Sequence, residues 1–395
     1  MRAIKIISLI TISFILFISL NSLAGAITLD RTVLNSRFVI SQVEHLELSA
    51  MLEEMITSEQ SSELPQPVKE AVAGTVASME PQIKTQASYI IQAMYDYIKG
   101  KKDNPNMAEV LGNSVFSTEF LADFIDSLNI PVLVSGVLEE QLQEAAPDDL
   151  EVSGNLPGAV EKALEENEES LKVQLRQVAN EIVDYISGET QQFSVEIDAF
   201  GVLDSLRIHL HSSFMSSPPG YLQGETEAVI EQEFNRLYGV FLAELPRSLE
   251  IDQTTIGEDT PAQMAETIEE IESSLGKARS FATTFQIIYI INIIVVILMV
   301  AAIVLIYREP VGITLNLGIV VLITAVVTLV AGFTGRSIVT KLIVEAQETP
   351  VQIQAWLAHL AGGAFLPLII TGFVYLVAGI GLLLTFMILR RRMQA

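Results

Sequence analysis

The sequence predicts an all-α fold: transmembrane helices plus an extracytoplasmic helical domain containing a tandem helical repeat. Three observations carry this expectation. Half of the 395 residues are apolar, yet the formal net charge is −25, a conflict that a uniform globule does not accommodate. The charge is partitioned, because residues 28–286 hold 45 acids and 15 bases while the rest holds 3 acids and 8 bases. Finally, two stretches at an offset of 88 close alike, as Asp96-Tyr97-Ile98-x-Gly100 and Asp184-Tyr185-Ile186-x-Gly188.

In chain order, residues 1–27 come first as an N-terminal membrane anchor or signal peptide. Arg2 and Lys5, an apolar core from Ile6 to Leu20, and Ala24-Gly25-Ala26 resemble a cleavable signal. Read through Ile27, the same run is long enough to span, and on either reading residues 28–286 are exported. Near the C-terminus, Ile287–Tyr307, Val311–Phe333 and Ala364–Leu389 each reach the ~20 residues a bilayer needs. Residues 287–389 are thus expected to form three transmembrane helices, with Arg308-Glu309-Pro310 as a tight hinge and 334–363 as an outer loop. Residues 390–395 form a basic cytoplasmic tail.

The positive-inside rule places Arg2, Lys5, Arg308 and Arg390-Arg391-Arg392 on the cytoplasmic side. That gives a multi-pass cell-membrane protein with both termini cytoplasmic and residues 28–286 extracytoplasmic. Arg336 and Lys341 oppose the assignment, but Glu345 and Glu348 share their loop. Ile338, Leu342, Ile353, Trp356, Leu357 and Leu360 predict a short helix on the membrane surface, with Trp356 at the interface. The spans carry no ionisable residue in their interiors, which argues against coupled transport and proton relays. Asn292 and Asn316 lie on the order of 13 Å apart in depth, so each is expected to bond a backbone carbonyl or another helix. Gly372, Gly379 and Gly381 are expected to allow close helix approach.

Within the exported domain, 28–260, two repeat units are expected at about 34–100 and 112–188. Their last helices align through Glu80/Glu168, Lys84/Lys172, Gln86/Gln174, Asp96/Asp184, Tyr97/Tyr185 and Gly100/Gly188. Upstream, Asn35-Ser36-x-Phe38 echoes Asn113-Ser114-x-Phe116, Leu52-Glu53-Glu54 echoes Leu138-Glu139-Glu140, and Leu64-Pro65 echoes Leu156-Pro157. Ile83, Ala87, Ile90, Met94 and Tyr97 are spaced as one buried stripe. Gly100 and Gly188 fit the left-handed position after a helix end. After the second unit, Phe193–Asp198 alternates like a short strand, and Leu203, Leu206, Leu210 and Phe214 predict an amphipathic helix. "SSPPGYLQG" at 216–224 breaks that helix, and 225–244 is helical again. Thr260 as N-cap and Pro261 at the first position open a stalk helix, 261–286, that runs unbroken to Tyr307. Its expected stripe is Met264, Ile268, Ile271, Leu275, Ala278 and Ala282.

The chemistry is sparse. Without cysteine there is no disulfide, thiolate metal site or cysteine nucleophile. His209-x-His211 would share a face on a strand, but the helical period sets the rings about 200° apart. Asp149-x-Glu151-x-Ser153-Gly154 resembles half of a calcium loop, yet Val160 stands at the twelfth position. His359 beside Trp356 reads as interfacial, and Glu165, Glu166, Glu168 and Glu169 as solubilising surface. Catalytic, cofactor-binding and metal residues are therefore all expected to be none. No GxSxG, HExxH, P-loop or GxGxxG is present.

The layout resembles uncharacterised prokaryotic multi-span membrane proteins with an exported helical-repeat domain, in which a stalk such as "ETIEEIESSLGKARSFATTFQIIYIIN" runs into the membrane. That resemblance implies architecture and no function. The leading expectation is a non-enzymatic membrane protein presenting its acidic domain for partner binding, as scaffold or sensor input. The alternatives are a carrier of a lipid or other apolar ligand, with Met51, Met55, Met79 and Met94 lining a pocket, and behind it an unrecognised enzyme or transporter component. The expected partners are the lipid bilayer, a protein outside the membrane and a lipid ligand. Nucleic acid is excluded, because it is repelled by the acidic block.

Overall fold

Among the residues that the structure describes, four helices are long and apolar enough to cross a membrane, and the chain is accordingly read as a membrane protein. The computed structural model describes residues 2–51, 66–134, 147, 150, 155–245, 247–257, 259–344 and 351–394. Among them, α1 (Arg2–Arg31), α2 (Ser36–Glu44), α3 (Gln66–Ile98), α4 (Met107–Gly112), α5 (Thr118–Ser127) and α6 (Leu156–Ile186) come first. Next are β1 (Ser194–Asp198), α7 (Phe200–Ser216), α8 (Glu227–Glu244), β2 (Ser248–Asp252) and the single turn α9 (Gln253–Ile256). Three long helices close the chain: α10 (Thr260–Tyr307), α11 (Pro310–Val344) and α12 (Val351–Gln394). Among the described residues the fold is all-α apart from one two-stranded sheet. Two units form, one from Met1–Glu47, Ala87–Pro105 and Glu272–Ala395, the other from Leu48–Gln86 and Asn106–Ile271.

In the first unit α11 and α12 form an antiparallel hairpin whose register is written in glycine. A Cβ on Gly379 would meet Leu322 N at 3.0 Å, and one on Gly372 would meet Leu329 N at 3.2 Å. Gly332 lies against Ile369 and Gly335 against Phe365, so the close approach runs along both helices. Gly372 and Gly379 act as the sequence predicts; Gly381 does not, since nothing lies within 4 Å of its Cβ position. The hinge is as expected: α10 stops at Tyr307, Arg308 takes a left-handed φ of 60°, and Pro310 opens α11. The N-terminal helix packs into this unit, where Leu16 and Leu20 cluster with Ile303 and Val320.

The expected outer loop is largely helix. α11 continues to Val344 and α12 already begins at Val351, so no separate surface helix forms among the described residues. Glu345 and Glu348 lie outside those residues. No proline stops α11 at 334, and Gly335, Gly362 and Gly363 serve close packing instead of a break. Trp356, expected at the lipid interface, donates its indole N–H to the Gln42 carbonyl at 2.8 Å.

In the second unit the start of α6 packs on α7 and α8. Leu156, Ala159, Val160, Ala163 and Leu164 meet Leu206, Leu210 and Phe214 from α7 and Phe234, Leu237, Tyr238 and Phe241 from α8. The spacings of three and four on each helix give one apolar stripe apiece, and burying three stripes together makes the core. A second cluster holds the sheet to the far end of α6, through Val178, Tyr185, Phe193 and Val195. β1 lies where the alternation predicts. Its antiparallel partner β2 was not predicted, although Ser248-Leu-Glu-Ile-Asp252 nearly copies Ser194-Val-Glu-Ile-Asp198.

The stalk helix runs for 48 residues, and its expected stripe is the less exposed face, with Leu275 and Ala282 buried. Thr260 is its first helical residue and not its cap, because its hydroxyl donates to the Ile256 carbonyl at 3.2 Å.

The repeat holds at the level of helix chemistry only. Gly100 and Gly188 both take positive φ, at +72° and +79°. In both helices the glycine N–H returns to the tyrosine carbonyl and the next N–H to the aspartate carbonyl, the closure of a left-handed helix end. Glu80–Lys84 and Glu168–Lys172 are both ion pairs one turn apart. The surroundings differ, however. Tyr97 is half-exposed beneath Arg279, whereas Tyr185 is buried against Phe193. Asn35 caps the start of α2 while Asn113 ends α4. The two segments therefore share helix-forming and helix-ending residues without sharing a subdomain. Leu52–Glu54, Leu64-Pro65 and Leu138–Glu140 lie outside the described residues.

Candidate functional site

The residues with catalytic or metal-binding potential go to separate places. His209 Nε2 meets Glu166 Oε1 at 2.9 Å, while the His211 ring stands edge-on to Phe234 with centroids 4.9 Å apart. Helix α7 thus turns the two rings to different partners, as its period requires. Among the described residues no group of three or more His, Asp or Glu converges as metal ligands. Asp149, Glu151, Ser153 and Gly154 lie outside those residues. Asp96 braces its own helix end: its carboxylate takes bonds from Lys101 Nζ and Gln92 Nε2, both at 2.8 Å. The Lys101 bond, ahead of the Gln92 one, holds that carboxyl below the usual aspartate range. Of the methionines expected to line a pocket, Met79 is buried and Met94 half-buried in a different unit. Met55 lies outside the described residues.

Two concave features stand out. The first is a cleft of about 610 Å³ in the second unit, between the end of α5 and the start of α6. Leu128, Pro131, Val132, Leu156, Pro157 and Val160 give it an apolar floor, and Asp126, Glu161, Glu165 and Glu168 an acidic rim. Its one lysine is tied down: Lys172 Nζ bonds the Asp126 carbonyl at 3.0 Å and Glu168 Oε1 at 2.7 Å. Arg176 pairs with the Asp126 carboxylate. Such a lining suits cationic and apolar groups, and the Ser127 hydroxyl on its wall donates to the Asp123 carbonyl.

The second feature is a polar seam inside the membrane unit, centred on α1. Ser13 Oγ donates to Asn316 Oδ1 at 3.1 Å, and Asn292 Nδ2 donates to the Ser19 carbonyl at 3.2 Å. Thr328 Oγ1 donates to Asn21 Oδ1 at 3.3 Å, and the Tyr375 hydroxyl to the Leu20 carbonyl at 3.2 Å. Asn21 in turn donates to the Phe17 carbonyl at 2.8 Å. Thus α1 supplies a hydrogen-bond partner to α10, α11 and α12. In hydrocarbon, where water is absent, this is where such groups find partners. Asn292 and Asn316 each find another helix, as their depth separation predicts. Beside the seam lies an apolar groove of about 540 Å³, lined by Leu9, Phe14, Phe17, Tyr307, Ile319 and Val320, with Ser13 and Asn316 also on its wall.

Sequence reasoning missed the side chains of Ser13 and Asn21 as partners. The available signal was their presence as polar residues in an otherwise apolar run. It also took Glu165 and Glu168 for plain surface, whereas both line the cleft. No family model, curated protein or solved structure matches this chain.

Proposed function

We propose that the chain is a non-enzymatic integral membrane protein whose acidic helical block binds a protein partner outside the membrane, as scaffold or sensor input. On this reading α1 is a retained anchor, both termini are cytoplasmic and residues 28–286 are extracytoplasmic. The observation that carries it is the seam. Polar groups of three spans are bonded to α1, and the apolar runs 287–307, 311–333 and 364–389 hold no Asp, Glu, Lys, Arg or His to move charge. Removing α1 by cleavage after Ala26 would leave Asn292, Asn316, Thr328 and Tyr375 without these partners. The membrane unit then serves as an anchor, and the work falls to the exported block. There the cleft between α5 and α6, acidic at its rim and apolar at its floor, suits a basic, partly apolar surface of a partner.

The experiment is photo-crosslinking in cells from Glu165 on the cleft rim, followed by mass spectrometry of co-purified proteins and lipids. One recurring protein, lost when Glu161 and Glu165 are both changed to lysine, supports the proposal. Absence of any protein crosslink, with a stoichiometric lipid co-purifying, favours the second reading. That reading, a carrier of an apolar ligand, draws on the groove beside Ser13 and Asn316. A turnover abolished by His209→Ala would overturn both in favour of an enzyme.

A further inference from the structure

We propose that the contact between α2 and the first turns of α12 is a pH-sensitive latch, released when both His45 and His359 are protonated. The two imidazoles stack with centroids 4.9 Å apart and planes 27° from parallel. Neither imidazole is buried in the protein. Each ring is oriented by an amide oxygen: His45 Nδ1 lies 2.5 Å from the Ser41 carbonyl and His359 Nδ1 lies 3.3 Å from Gln42 Oε1. Both partners are acceptors, so Nδ1 carries the proton in each ring and Nε2 is the nitrogen left to gain one. Gaining it keeps both bonds, because Nδ1 still donates. What it changes is the stack, which then holds two like charges face to face. Histidine is the side chain whose ordinary charge change falls between about pH 5 and 8.

The rest of the latch is neutral. Trp356 donates to the Gln42 carbonyl at 2.8 Å, and the Phe38 ring sits on Gly363, where a Cβ would come within 3.1 Å of it. The ionisable groups on the adjoining elements are Asp30 and Arg31 at the end of α1, Arg37 and Glu44 on α2, and Glu47 just beyond. From α11 come Arg336, whose guanidinium lies 3.3 Å from the Cβ position of Gly362, and Lys341. The first four turns of α12 carry no ionisable residue besides His359. Doubly protonated, the stack brings two cations together. The neutral contacts to Gln42 and Gly363 then oppose the repulsion. The inference goes beyond partner binding, and the proposed topology decides only which compartment's pH is read.

The chain has one tryptophan, and it sits in the latch, so the test needs no label. Full-length protein in nanodiscs, with EDTA present, is titrated from about pH 7.5 to 5 while acrylamide quenching of Trp356 is measured. The quenching constant is expected to rise about two-fold or more on acidification. The rise should vanish in His45→Phe, which keeps a stacked ring that cannot be protonated, and in His359→Gln. It should persist in His209→Gln, which lies outside the latch. A flat profile in the wild type, or an unchanged rise in both latch variants, overturns the proposal. So does a fall in intensity at constant quenching, which would mean that imidazolium quenches the indole without any opening.

Discussion

Replacing Tyr185 by alanine removes a ring that is 2% exposed and sits 5.2 Å from Phe193, so the expected loss is roughly 3 kcal/mol. Tyr97→Ala removes a half-exposed ring and its stacking on Arg279, where about 1 kcal/mol is expected. Thermal unfolding of the full-length variants reads the difference. Equal losses would restore the repeat as a pair of equivalent subdomains. Glu80 offers a second residue-scale test. The bond from Lys84 is the main cause of its lowered carboxyl pKa, and Ser49 adds two more bonds at 3.2 and 2.9 Å. A carboxyl depressed on folding contributes stability above its unfolded pKa and loses it as pH falls through the folded one. Glu80→Gln should therefore destabilise at neutral pH, and the gap from wild type should close in acid below the ordinary glutamate range. A gap constant across that range would mean the carboxylate charge is irrelevant. At this scale the sequence was legible. Glycine after a helix end and Glu-to-Lys at one-turn spacing act through local backbone rules that need no knowledge of the fold.

At the scale of elements, legibility followed the range of the interaction. Stripes on α7 and α10 could be read because periodicity within one helix states which face is buried, whereas the stripe expected on α3, Ile83 to Tyr97, is only half-buried. β2 could have been read, since its pentapeptide nearly repeats that of β1. Its short length and the helical reading on either side concealed it. The pairing sets Glu196 directly opposite Glu250. Like charges across a ladder are unfavourable, so Glu196→Lys should raise stability by about 0.2–1 kcal/mol, measured by denaturant unfolding. A loss instead would mean that Glu196 has a partner that lysine cannot replace. The α11–α12 hairpin gives a sharper contrast. Gly379→Leu drives a side chain into the Leu322 backbone and should cost about 1–3 kcal/mol. At Gly381 an added Cβ meets nothing within 4 Å, so Gly381→Leu should be close to neutral. Both are read as thermal stability in detergent, and similar costs for the two would refute the hairpin register. From sequence alone the three glycines looked alike, because which of them meets a neighbour depends on the other helix.

For the whole molecule, the partition of charge was plain in composition, and the four spans in hydropathy. The seam that joins α1 to the other spans was not. Ser13 and Asn316, or Asn21 and Thr328, come together only after packing, and no local pattern links residues so far apart in the chain. The same limit applies to the cleft, whose two walls come from separate segments and whose acids read as ordinary surface. The central claim is that an acidic block is exported and held by a four-span anchor with both chain ends inside. Dual topology reporters fused after Gly257 and after Ala395, one active only outside the membrane and one only in the cytoplasm, test it directly. The expected result is outside activity after Gly257 and cytoplasmic activity after Ala395. Cytoplasmic activity after Gly257 would contradict the account.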